Sequence, residues 1–408
     1  MQNELNKREK LKNVDIKSSL KTASIALFIL LIVCAITSLL INEKTNEALA
    51  ELLELDLDIK TLNFLDYALL SHLVKLKYQV STSYLQNGIA DISGGVFATL
   101  AIPFVIFLVL GILRAKRDLK EDREFCLMNS FLVGLFYGIG LLILTLFSLI
   151  KTEVPVPFSR TILTITKKYS SIAALLNGLI IAMVFYILGY GLYMYFKKES
   201  NRLLKYRFIF NGTFCLLLGY IISLVVYIIG SRYLDLDIYT DTNIIDLILH
   251  LQLPAFIWNT INYNAFAFLS SSYRIKLSLL SNNESIKYYL NNNILIAMNI
   301  LPFIPFILYF IQGRKERKIG KGNMYLNLAF TSITYSLLMT FFAAISNINI
   351  KFYGQVFNNL YGESLTMTIG FKPAITFVTC LIFSYGISLA GGLLTKPSNT
   401  GEVLSYNE

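Results

Sequence analysis

Eight stretches of this chain, near residues 23–41, 94–113, 127–150, 171–196, 208–230, 294–312, 324–346 and 373–394, are apolar and hold no Asp, Glu, Lys, Arg or His. A bilayer core about 30 Å thick takes about 20 apolar residues of helix. Inside it every backbone N–H and C=O needs a partner within the protein, which leaves helices and closed barrels as the spanning structures. Uncharged runs of this length predict helices. The composition agrees, with 55% of residues hydrophobic and 15% charged. The expected fold is an all-α polytopic membrane protein with eight transmembrane helices.

Charge orients the expected helices. The N-terminal tail, the loops near 114–126, 197–207 and 313–323, and the C-terminal tail all fall on one side, and these short segments hold most of the 36 Lys and Arg. The positive-inside rule assigns that side to the cytoplasm, so both termini are expected there, in a bacterial-type inner (cell) membrane. Basic loops in this position meet anionic lipid headgroups. Membrane lipids are therefore the expected contact, and no nucleic-acid partner is. The run at 23–41 is long enough to span and no small-x-small cleavage site follows it, so a retained anchor is expected. The four cysteines have no CxxC spacing and imply neither a disulfide nor a metal.

The chain also repeats itself. Ile102-Pro103-Phe104-Val105-Ile106-Phe107-Leu108 resembles Leu301-Pro302-Phe303-Ile304-Pro305-Phe306-Ile307, and each run leads into a basic cluster. Leu55-Asp56-Leu57-Asp58-Ile59-Lys60-Thr61 resembles Leu234-Asp235-Leu236-Asp237-Ile238-Tyr239-Thr240. Ile187–Gly191 and Ile382–Gly386 share Ile-x-x-Tyr-Gly. Self-similarity of this kind signals an architecture built from repeats. Two halves of four spans each start on the same side, so they are expected to be parallel repeats about an axis along the membrane normal. The expected segments are a basic tail (1–22), a first four-helix repeat (23–196), a second (197–394) and a short tail (395–408).

Small outer elements are expected in the long loops. Leu53–Lys60 and Leu234–Tyr239 alternate apolar and polar residues, the pattern of a half-buried strand, and are expected to pair with each other. Phe64–Leu73 and Ile244–Leu251 read as short amphipathic helices on the outer leaflet. Trp258, Tyr263 and Phe266 suit the bilayer interface. The segments near 151–170 and 347–372 are read as outer loops of medium length.

The uncharged spans argue against a carboxylate-based ion pump, since buried ionisable groups mark ion pathways. Two candidate sites remain. A pocket or hinge between the halves would use Pro103, Pro302 and Pro305 as mid-helix kinks, with Asn177, Asn299 and Asn327 as neutral polar groups. An outer surface would use Asp56, Asp58, Asp235, Asp237, His72 and His250, without the tight His/Cys set of a zinc site. Gly134 and Gly138 form GxxxG, expected to serve internal helix packing. Phosphate-loop, HExxH and GxSxG motifs are missing. The expected function is a non-enzymatic, permease-like or channel-like component for a neutral or apolar substrate. It would need no cofactor, and a separate ATPase subunit or another membrane protein could dock on the basic loops. The alternative is a non-transporting factor for envelope protection, immunity or regulation, binding a peptide or membrane partner through its outer loops.

Overall fold

The computed structural model describes residues 14–52, 62–82, 87–93, 100–155, 162–197, 206–233, 243–270, 274–277, 300–319, 323–354 and 365–396. The first part of the chain runs α1 (Ile16–Leu52), α2 (Phe64–Leu70), β1 (Leu76–Thr82), β2 (Asn87–Ser93), α3 (Ala101–Lys120), α4 (Leu127–Phe147), β3 (Ile150–Pro155), β4 (Ile162–Tyr169) and α5 (Ser171–Phe196). The second part runs α6 (Arg207–Tyr233), α7 (Asn243–Ile261), β5 (Phe266–Ser270), β6 (Arg274–Leu277), α8 (Phe303–Ile319), α9 (Met324–Ser346), β7 (Ile348–Gly354), β8 (Leu365–Phe371) and α10 (Pro373–Leu393). The order of elements is the same in both.

Among the described residues, six helices are long and apolar enough to cross a membrane: Ile16–Leu40 of α1, α4, α5, Arg207–Gly230 of α6, α9 and α10. Their outward faces carry large apolar side chains such as Phe28, Leu39, Ile143, Ile221, Leu337 and Ile382. Water would penalise such faces and lipid does not. The protein is an α-helical membrane protein. Helix α3 falls short of the same measure because its end is crowded with charge, Arg114 to Lys120, and α8 because its described part is short, 17 residues, with Arg314 to Lys318 at its end.

Among the described residues, eight strands form one antiparallel sheet in the order β3-β4-β1-β2-β7-β8-β5-β6. It is a larger β element than the small outer pieces the sequence suggests, and its strands lie elsewhere. Leu53–Lys60 and Leu234–Tyr239 fall outside the described residues, whereas the segments read as medium outer loops hold β3, β4, β7 and β8. All four hairpins join this sheet, so α1, α4, α6 and α9 run toward it and α3, α5, α8 and α10 run away. Both described ends of the chain thus lie opposite the sheet. One sheet face is buried through Leu76, Tyr78, Ile165 and Tyr169, while Lys77, Gln79, Thr164 and Thr166 on the other are half-exposed. This is the period-2 alternation of a sheet with one packed face.

The two parts agree in register as well as in order. Leu76 pairs with Tyr169 as Phe266 pairs with Phe371. Ile150 pairs with Lys167 as Ile348 pairs with Ile369. Helix crossings match too. A Cβ on Gly111 of α3 would lie 2.1 Å from the Tyr186 carbonyl oxygen of α5, and one on Gly313 of α8 would lie 1.8 Å from that of Ser388 in α10. The reciprocal glycines, Gly189 and Gly391, face Leu108 and Phe310 in the same way. Glycine at each crossing lets two helix backbones touch. Gly134 and Gly138 do the same between α4 and α5, against the carbonyls of Leu179 and Leu175, so that GxxxG is internal packing.

Candidate functional site

An apolar opening lies where the two parts meet. Helices α5 and α6 are held together at the end away from the sheet, where Gly191 lies against the Phe210 ring and Phe125 packs on Tyr190, Tyr206 and Phe210. Toward the sheet the space between them becomes a cleft of about 380 Å³. Phe104 of α3, Val184 and Phe185 of α5, Leu217 and Tyr220 of α6, and Phe341 and Phe342 of α9 line it. The only hydroxyl in the lining is that of Tyr220. A cavity of this size and character fits hydrocarbon and repels ions.

None of the described residues expected to form a polar pocket lines this cleft. Pro103 and Pro305 lie in the first turns of α3 and α8, and Pro302 in the turn before α8, where the missing N–H costs no helical hydrogen bond. Within α3 and α8 as described, none of the three lies at mid-helix; Pro302 falls in the turn between helical Ile300 and α8. The glycine crossings match Pro103 with Pro305, eight residues before Gly111 and Gly313, not with Pro302. Even so, the neighbours Leu100, Ala101 and Phe104 reach the cleft. Asn177 donates to the carbonyls of His72 (2.9 Å) and Leu73 (3.2 Å), tying α5 to the turn after α2. Asn327 hydrogen-bonds Glu316 at the other end of the molecule, beside Arg207. Burial pushes the Glu316 carboxyl up while Arg207 pulls it down. Asn299 lies outside the described residues.

The outer-surface set is likewise dispersed. Asp56, Asp58, Asp235 and Asp237 lie outside the described residues, and of His250 only its place in α7 is described. His72 is not on the surface at all; it is fully buried. Helix α2, expected on the leaflet, is buried as well, through Asp66, Tyr67, Ala68 and Leu69. Trp258, expected at the bilayer interface, is buried against Gly219.

His72 sits in a turn with a fixed hydrogen-bond pattern. Leu73 takes a left-handed φ of 59°, and Val74 N donates to Leu69 O at 3.2 Å, a helix-ending motif. Nδ1 lies 2.8 Å from the Ala68 carbonyl, so Nδ1 carries the proton, and Nε2 accepts from the Tyr137 hydroxyl at 2.9 Å. Burial lowers the imidazole pKa to about 4. The group is a neutral structural link.

Beside it lies a buried ion pair. Lys167 of β4 reaches Asp66 of α2 at 2.5 Å, with both side chains almost wholly shielded. The Asp66 carboxylate also accepts from Asn63 N in a capping box. Burial pushes the Asp66 carboxyl up against the pull of Lys167, and pushes the Lys167 ammonium down against the pull of Asp66. Sequence reasoning missed this pair because its members lie 101 residues apart. Among the described residues no group of His, Cys, Asp and Glu could hold a metal ion.

No protein-family model, curated protein or solved structure matches this chain.

Proposed function

We propose that this protein is a permease-like transport component for an apolar or lipid-like substrate, built from two parallel repeats of four spans each. The observation that carries the reading is the apolar cleft at the junction of the two parts, at the depth of six bilayer-compatible helices. At that depth the surrounding solvent is acyl chain, so an acyl chain is the occupant that the lining selects. Reading α3 and α8 as the remaining spans makes eight. Their charges gather at the end away from the sheet, and the uncharged sequence extends back to residues 94 and 294.

The paired strands β2 and β7 join the two parts at the sheet, from Gly88 opposite Gly354 to Ser93 opposite Asn349. A six-residue ladder resists shear, so the movement that widens the cleft is a rotation about the sheet end. The basic termini of α3 and α8 lie at the opposite, moving end, in the cytoplasm on this reading. A separate ATPase subunit, if one drives the movement, docks there; no enzymatic step is assigned to the chain itself.

Native mass spectrometry of protein extracted without strong delipidation tests the reading. One phospholipid at fixed stoichiometry is expected, lost when Ala101→Trp fills the cleft. A broad lipid distribution unchanged by that variant contradicts it. A peptide or protein retained in place of lipid favours the non-transporting alternative.

A further inference from the structure

The junction between β2 and β7 leaves a second, complementary pair of strand edges unused. Each part contributes four strands in one order, β3-β4-β1-β2 and β7-β8-β5-β6, so the last strand of one part meets the first strand of the other. The remaining strands of those two kinds, β6 and β3, end the described sheet. Their register follows from pairings already present. Ile92 stands opposite Leu76 as Leu277 stands opposite Phe266, so Lys276 takes the place of Asp91. Ile150 stands opposite Lys167 as Ile348 stands opposite Ile369, so Glu153 takes the place of Lys351.

At the existing junction Asp91 is opposite Lys351. Carrying that register over to β6 and β3 sets Lys276 opposite Glu153, the same charge pair with its signs exchanged, and Ile275 opposite Val154. Opposite charges directly across an antiparallel pair are favourable and like charges are not. Glu153 is exposed and within 2.9 Å of Lys151 on its own strand, free to change partner. The two edges are seven strand spacings apart, roughly 34 Å along the sheet. In the membrane part the packing of α5 on α6 has no comparable counterpart between α10 and α1 among the described residues. One chain therefore offers both edges without joining them.

We propose that a second copy of this chain joins them. Strand β6 of each copy pairs antiparallel with β3 of the other, Lys276 opposite Glu153, closing four structural units into a ring about a two-fold axis. Head-to-tail contacts that close in this way give a finite assembly and remove both exposed edges. The inference rests on the shared register of the two parts and is independent of what occupies the cleft.

The experiment uses the full chain with Cys34, Cys126, Cys215 and Cys380 replaced by alanine. Two differently tagged copies, one carrying Glu153→Cys and the other Lys276→Cys, are co-expressed and oxidised in native membranes. Residues directly opposite in an antiparallel pair are close enough for a disulfide. A disulfide-linked heterodimer carrying both tags is expected, with none when either variant is expressed alone. In a chain without cysteine substitutions, Glu153→Lys should lower the dimer fraction about tenfold, and adding Lys276→Glu should restore it. An intrachain link in a Glu153→Cys/Lys276→Cys chain, with no interchain product, overturns the proposal. So does a monomer whose state ignores both charge reversals.

Discussion

The turn after α2 and the turn at the end of α7 have the same backbone and different chemistry. Leu73 and Tyr263 both take a left-handed φ, of 59° and 63°. Asn264 N donates to Asn259 O at 3.3 Å, as Val74 does to Leu69. His72 donates from Nδ1 to the carbonyl four residues back and accepts from Tyr137. Asn262 donates from Nδ2 to Trp258 O at 2.7 Å and accepts from Tyr335 at 3.1 Å and from Tyr309. Even the ring contacts correspond, Phe107 edge-on to Tyr137 and Tyr309 edge-on to Tyr335. An asparagine cannot titrate in this range, so what both positions require is one donor and one acceptor. Six residues before His72 and Asn262 the contrast sharpens: counting back along the helices, Asp66 corresponds to Phe256, and the strand register matches Lys167 with Ile369. A buried ion pair in one part is an apolar contact in the other.

The comparison can be broken most forcefully at the ion pair. Lys167→Met leaves Asp66 buried without its cation and should cost about 3–5 kcal/mol. Asp66→Phe with Lys167→Ile, which copies the second part, should recover most of that loss, as read by thermal unfolding in detergent. Recovery of less than half would mean that the two sites are not interchangeable.

The histidine gives a smaller effect with a definite sign. Its folded-state pKa of about 4 lies below the ordinary 6.5. Stability from the neutral ring is therefore complete above pH 6.5 and lost as pH falls toward 4, on the order of 3 kcal/mol in all. His72→Asn should remove that acid dependence while leaving stability at pH 7.5 nearly unchanged. An unaltered slope would assign the acid sensitivity to other groups.

Glycine substitutions come next. Gly111→Ala and Gly313→Ala each drive a methyl into a backbone carbonyl and should cost about 1–3 kcal/mol by equal mechanisms. Gly386→Ala is the smallest effect expected, because nothing lies within 4 Å of its Cβ position. A change beyond roughly 0.5 kcal/mol there would signal packing against a partner.

The helices were legible because uncharged runs of about 20 residues have few other folds. The short sequence matches between the two parts do not share the register of the backbone contacts. Ile-x-x-Tyr-Gly aligns Gly191 with Gly386, whereas the backbone contacts align Gly189 with Gly391. Apolar helices resemble one another at several offsets, and only close approach of backbones distinguishes them. The strands were partly legible. Ile162-Leu163-Thr164-Ile165-Thr166 and Ile348-Asn349-Ile350-Lys351 both show alternation, yet the first leads straight into the apolar run of α5 and the second follows that of α9. The cleft was not legible, since Phe104, Val184, Tyr220 and Phe341 resemble every other apolar residue of their helices until the helices are packed.

The most direct test of the central claim, that an acyl chain occupies the junction of the two parts, is an adduct map. The protein is reconstituted in nanodiscs containing phosphatidylglycerol with a diazirine in its acyl chain, irradiated, and digested for mass spectrometry. Adducts concentrated on Phe104, Val184, Tyr220 and Phe341, and displaced by Ala101→Trp, are the predicted result. Adducts spread evenly over outward residues such as Phe28, Ile143 and Ile382, and unaffected by that variant, would contradict it.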